Sequence, residues 1–356
     1  MLNLAPPSPE RNYWLAFIRA HRGDSTYREL LHAADGMDPV LVFPFREETA
    51  AVLDWVISKD SHWLPKYYLA LIHWDRDNLQ EARALFRRCG SNPRSDLFYA
   101  CRAQLFKGET DGDPAADLKR AMELNPAQWR YGLALTRFYR DSRQAEQALA
   151  TATQAYAAFP ENYILGMAKA RSLCDNRHYE RCLDLLRELK ILPYEGATDG
   201  RILYREAGLK WAIQQMAAGA FRRSLQLIDR AREWPESLGA GKPYAEDVDE
   251  RLEDWLAAQC LQKMGKYKSA DRLLQRIVQF KAKHDDAAQL IAALAWQRLG
   301  DQAKARAVFA GWQNRQPGSN LAAACLDVFQ GSAPTLPEDL ANDDTARIVQ
   351  EWLASR

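Results

Sequence analysis

The closest approach to recognisable chemistry in this chain is Gly239-Ala240-Gly241-Lys242, where glycines precede a lysine as they do in a phosphate-cradling loop. The spacing does not complete that loop. Glu236 stands where the first glycine belongs, Pro243 replaces the hydroxyl residue, and no strand pattern leads in. The six histidines, His21, His32, His62, His73, His178 and His284, fall in separate units with no HExxH and no paired carboxylate expected, so neither a metal site nor a catalytic triad is indicated. Cys89, Cys101, Cys174, Cys182, Cys260 and Cys325 form no CxxC or Cys/His cluster and are expected as reduced, buried thiols. Acidic pairs such as Glu47-Glu48, Asp285-Asp286 and Asp343-Asp344 sit at helix starts, where the macrodipole favours them. The sequence therefore predicts no catalytic residue, no metal and no cofactor, and the region is read as a non-enzyme.

Chemistry of contact is better represented. Two glycine-bearing loops, residues 192–201 and 234–248, flank one plain helical hairpin, and they carry Tyr194, Glu195, Arg201, Trp234, Lys242 and Tyr244. Each loop joins the second helix of one hairpin to the first helix of the next, so both should emerge on one edge, about 10 Å apart at ordinary helix-packing distances. Long loops in a repeat array are often functional. The competing expectation is that they fold back to fill a groove. A second group, Arg130, Arg137 and Arg140, recurs at helical spacing beside Tyr163 and Lys169 and could clamp a carboxylate or an acidic peptide, although a solvated face pairing with Glu or Asp of a neighbouring unit is the simpler account of any one of them.

The elements that must hold these residues are helices. From Trp63 the apolar pattern repeats with the roughly 34-residue period of tetratricopeptide hairpins. The small residues Ala82, Ala148, Ser224, Ala270 and Ala305 fall early in second helices, where two helices cross closely. Phe86, Leu274 and Phe309 follow one turn later as plugs toward the next unit. Gly219, Gly265 and Gly300 end first helices as left-handed caps, and prolines after second helices stop them. No single hairpin buries its own apolar face, so the units must stack. Ahead of the array, Pro9 to Ala20, Ser25 to Ala33 with Ser25 as N-cap, and Glu47 to Ser58 read as capping or degenerate hairpins.

With 47% hydrophobic residues a continuous core is affordable, and the formal net charge of +1 supplies no field to draw in nucleic acid. No apolar run approaches the ~20 residues of a membrane span. The expected location is cytoplasmic.

Several stretches carry a more specific likeness. Phe43-Pro44-Phe45-Arg46, Trp63 through Trp74 with Tyr67-Tyr68-Leu69-Ala70-Leu71-Ile72, Leu192 through Arg201, and Trp234 through Tyr244 followed by Asp249-Glu250-Arg251 together resemble the tetratricopeptide region of bacterial proteins carrying the DUF5107 domain. The likeness runs from about Phe43 to Leu299. It implies that such repeats follow an N-terminal β-rich domain related to mutarotase-like sandwiches. Nothing in this sequence reads as that domain, so the resemblance implies the C-terminal part of a longer protein, with any sugar chemistry lying elsewhere.

These readings converge on an all-α protein, a right-handed α-solenoid of tetratricopeptide-type hairpins: capping helices over 1–60, the array over 61–317, and capping helices over 318–356. The expected function is a scaffold for protein–protein or interdomain contact. Its partner is a protein or the β-rich domain of its own parent chain, with no nucleic acid and no membrane. The alternative is an accessory part of a carbohydrate-active enzyme, in which Trp234, Tyr244 and Tyr194 would stack on sugar and carbohydrate would be met only through the parent protein.

Overall fold

Helix crossings in this chain are set by residues too small to hold two backbones apart. In the computed structural model, which describes residues 6–39, 42–90, 93–193, 197–336 and 344–355, Ala82, Ala148, Ser224, Ala270 and Ala305 are all fully buried, and Phe86, Leu274 and Phe309 are buried beside them. Ser224 makes the closeness explicit, since its hydroxyl donates to the Ala212 carbonyl of the preceding helix at 3.0 Å. Nineteen α-helices and no strand are found among the described residues. The fold is the all-α stack of tetratricopeptide-type hairpins that the repeat predicts.

The chain divides into two compact units, residues 1–151 and 152–356. The first holds α1 (Pro9–His21), α2 (Tyr27–Asp35), α3 (Glu47–Lys59), α4 (Trp63–Asp75), α5 (Leu79–Arg88), α6 (Asp96–Leu105), α7 (Pro114–Leu124), α8 (Trp129–Asp141) and the start of α9 (Ala145–Ala158). Its core is strongly aromatic. The Phe98 ring lies 5.6 Å from those of Trp63 and Tyr67 and 5.3 Å from that of Phe86, so α4, α5 and α6 interlock through one ring cluster. α2 begins one residue later than its sequence suggests: Thr26, not Ser25, is at the N-cap, and Asp24 accepts from the Thr26 amide at 2.9 Å.

The second unit holds α10 (Tyr163–Asp175), α11 (Tyr179–Glu188), α12 (Asp199–Ala217), α13 (Phe221–Ala231), α14 (Arg251–Lys263), α15 (Tyr267–Gln279), α16 (Ala288–Arg298), α17 (Gln302–Arg315), α18 (Asn320–Gln330) and α19 (Asp344–Ala354). α18 packs on α16 and α17. α19 lies instead against α12 and α16, with Ile348, Val349, Trp352 and Leu353 buried.

Seven hairpin turns among the described residues share one closure, and after α1 its left-handed position is Gly23, with φ of 78°. After α12, α14 and α16 the left-handed position is Gly219, Gly265 and Gly300, with φ of 75°, 74° and 87°. After α14, for example, the Gly265 amide donates to Gln262 and the Lys266 amide to Leu261, the paired bonds of a Schellman cap. The same two bonds close α4, α8 and α10, yet the left-handed residues there are Asp77, Arg143 and Arg177, with φ of 63°, 57° and 60°.

Candidate functional site

The two loops singled out by sequence are not about 10 Å apart; they touch. The Ile191 amide donates to the Ser237 carbonyl at 2.8 Å. Gly239 lies so close to the first loop that a Cβ added there would stand 3.0 Å from the Ile191 carbonyl oxygen. Leu238, at the end of a 3-10 turn over Glu236–Leu238, is buried, as are Ile191 and Ala197. Apolar side chains at the base of each loop thus join the two.

The predicted site residues separate into two groups. Arg201 is buried at the start of α12, where its Nη2 donates to the Ala231 carbonyl at 2.9 Å and supplies a partner to the end of α13. Its guanidinium lies over the half-buried Trp234 ring, 4.6 Å from the centroid. Burial, reinforced by the neighbouring Arg205, lowers the Arg201 pKa to about 10, still well above neutrality. Lys242 and Tyr244 are exposed, and Tyr244 keeps 78% of its surface in solvent. Tyr194 and Glu195 lie outside the described residues.

Beside Lys242 is a cleft of about 300 Å³ lined by Val248, Glu250, Asp254, Arg276 and Phe280 among others. Its walls are charged and internally paired. Arg232 bonds Glu250 and reaches Asp254 at 2.8 Å, and Arg276 pairs with Asp254 from α15. Arg251 chelates Asp249 and donates to Gln289 at 3.1 Å, which ties the end of the second loop to α16. Arg205 holds Glu253 through two bonds of 2.5 and 2.8 Å. These groups pair with one another, so this side of the cleft is a polar, preorganised surface.

On α8, Arg130 is exposed, lies 4.6 Å from the Trp129 ring centre and donates to Gln128 at 3.2 Å. Arg137 is exposed and Arg140 half-buried. All six cysteines are free thiols, five of them buried and Cys101 partly so. No helix among the described residues is long and apolar enough to cross a membrane.

Two charged clusters were not visible in the sequence. In the first unit His62 Nδ1 stands 3.1 Å from Asp35 Oδ1, with Asp60 alongside, so one histidine does have carboxylate neighbours. In the second unit Glu206 of α12 is almost completely buried and binds Lys210 (2.8 Å), Arg171 (2.7 Å) and Arg347 (3.2 Å). Each cluster joins residues more than 20 positions apart, and only the helical patterns of α2, α10, α12 and α19 could have placed them.

No family model matches this chain, and no curated protein does. Among solved structures, the chain is similar to one in the structure of Naa15/Naa10 bound to HypK-THB, at 17% identity and a TM-score of 0.49 over 98% of this chain. This chain spans only 52% of the length of that one. It is also similar to PilF of Pseudomonas aeruginosa, at 14% identity and a TM-score of 0.34, over 76% of this chain and 97% of that one. A third is YrrB, described as a tetratricopeptide-repeat protein with an unusual peptide-binding site, at 14% identity and a TM-score of 0.30, over 66% of this chain and 95% of that one. No function passes from them to this chain.

Proposed function

We propose that this chain is a non-catalytic tetratricopeptide-type scaffold that docks a protein surface through the outer part of its loop ridge. In the simplest case that surface is the N-terminal β-rich domain of a longer DUF5107-type polypeptide. The observation supporting this reading is Tyr244, a large amphipathic ring left 78% exposed on a loop whose base is fixed by the Ile191–Ser237 bond. A rigid exposed aromatic costs little entropy to dock, and Tyr is among the residues most often found to dominate interfaces. Lys242 and the paired charges of the adjoining cleft would form the polar rim. Arg201 and Trp234, which face each other, position the loop in this reading and do not meet the partner.

The test is the affinity of this chain for the separately expressed N-terminal domain of the parent protein, with wild type compared against Tyr244→Ala and Lys242→Glu and circular dichroism as the folding control. A hot-spot tyrosine predicts a loss of about 30-fold for Tyr244→Ala. Unchanged affinity in both folded variants would remove the ridge from the reading.

A further inference from the structure

The first helices of successive hairpins, α10, α12, α14 and α16, neighbour one another directly within the second unit. Against them lies α19. Its apolar face is Ile348, Val349, Trp352 and Leu353, each no more than 5% exposed. The Trp352 ring meets Trp255 of α14 edge-on, with centroids 5.7 Å apart, and its Nε1 donates to Gln259 at 3.4 Å. Arg347 reaches Glu206 of α12 at 3.2 Å, and Glu351 pairs with Arg177, just past α10, at 3.0 Å. One short helix therefore engages four consecutive hairpins through an apolar stripe flanked by a cation and an anion. That is how an amphipathic helix lies in a groove.

Two features set α19 apart from the stacked helices. The succession from α12 through α17 is continuous without it, each helix touching the next. Glu206 also keeps Arg171 at 2.7 Å and Lys210 at 2.8 Å from outside α19, so withdrawal of Arg347 leaves this buried carboxylate doubly paired rather than orphaned. The groove is built to be occupied and is electrostatically satisfied when vacated.

We infer that the face of α12, α14 and α16 is a helix-binding groove, that α19 fills it in cis, and that its trans ligand is an amphipathic partner helix of α19's own pattern. That pattern is a cation followed at once by two aliphatic residues, then Trp and an aliphatic three and four positions after them, as in Arg347-Ile348-Val349 and Trp352-Leu353. The groove shares no residue with the loop ridge, so either reading can fail without the other. Because α19 is tethered, a trans helix sees only the fraction of chains whose groove is open, and its apparent affinity is reduced by that fraction.

The test uses the whole chain and a fluorescent peptide with the sequence of residues 344–355, read by anisotropy. Ile348→Asp and Trp352→Ala chains, in which α19 is loosened, should bind the peptide about tenfold or more tightly than wild type does. Peptides carrying Arg347→Glu or Trp352→Ala should bind those opened chains correspondingly less well. Equal affinity for wild-type and loosened chains, or no binding to a folded loosened chain, overturns the inference. Should the loosened chains fail to fold, hydrogen exchange on wild type decides. α19 amides exchanging ahead of those of α12 and α14 support a removable helix, and exchange together with α14 sinks it. A concentration-dependent dimer with exchanged α19 helices would assign the groove to a second copy and overturn the partner helix.

Discussion

Arg201 stacks its guanidinium 4.6 Å from the centre of the Trp234 ring while its Nη2 caps the Ala231 carbonyl at 2.9 Å. Two residues that read from the sequence as contact residues are thus engaged with each other and with the end of α13. Arg201→Ala leaves a buried carbonyl without its donor, at about 1–3 kcal/mol, and removes a desolvated cation–π contact worth about 1–2 kcal/mol. A total loss of about 2–5 kcal/mol is expected in urea denaturation. Arg201→Lys should recover little of it, because an ammonium cannot both stack flat on the indole and reach the carbonyl.

Tyr244 and Lys242 should behave in the opposite way. Both are exposed, so Tyr244→Ala and Lys242→Glu are expected to shift stability by no more than about 0.5 kcal/mol. A large loss for either would mean that the outer loop, like its base, is structural. The contrast with Arg201→Ala separates the part of the ridge that holds the array together from the part free to meet a partner.

The hairpins were legible because their signals are local. A small residue at each crossing, such as Ala148 or Ala270, and a glycine one residue beyond the helix C-cap, such as Gly265, act within one turn of their own position. The three caps built on Asp77, Arg143 and Arg177 were invisible, since these residue types do not require a left-handed backbone as glycine caps suggest. The loop ridge was legible as a place but not in its partition. Sequence spacing put Arg201 and Trp234 on the same edge as Tyr244, whereas burial of one pair and exposure of the other depends on how tightly Ile191 and Leu238 zip the loops. Placement of α19 was out of reach for the same reason: its amphipathic pattern states that one face must be covered and is silent about what covers it.

The caps without glycine offer a stabilisation. A side chain at φ near 60° costs about 1–2 kcal/mol in the left-handed region, and glycine returns part of that as lost unfolded-state restriction. Asp77→Gly, at a turn whose backbone bonds match those at Gly265, should therefore raise stability by roughly 0.5–1 kcal/mol. Thermal denaturation of the first unit's transition measures it, and a decrease would show that the Asp77 side chain supports the turn.

Acid should unlock the second unit through Glu206. Burial alone would raise this carboxyl, but Lys210, Arg171 and Arg347 together overrule it and hold it down at about 2, below its ordinary 4.5. A depressed carboxyl stabilises the fold fully above its unfolded value and loses that contribution as pH falls from about 4.5 toward 2, here about 3 kcal/mol. Glu206→Gln leaves three cations converging on an amide and should cost about 3–5 kcal/mol at neutral pH, while flattening the stability profile between pH 5 and 3. A variant as acid-sensitive as wild type would exclude Glu206 as the responsible group.

In the first unit the sign reverses at Asp35. Burial, followed by the adjoining Asp60 carboxylate and a hydrogen bond with it, pushes Asp35 up to about 7 from 3.8. A carboxyl raised in the folded state contributes its stability in full below pH 3.8 and loses it progressively as pH rises through 7, on the order of 2–4 kcal/mol in all. His62, 3.1 Å from Asp35, is lowered by burial against the opposing pull of Asp60, so it works in the other direction as pH falls below 6.5. Comparing Asp35→Asn with wild type cancels the part of the His62 contribution that both share. The variant's advantage should be small near pH 4, grow through pH 7 and level off above it, as read from urea midpoints at pH 4.5 and 8. An advantage independent of pH would mean that Asp35 ionises normally.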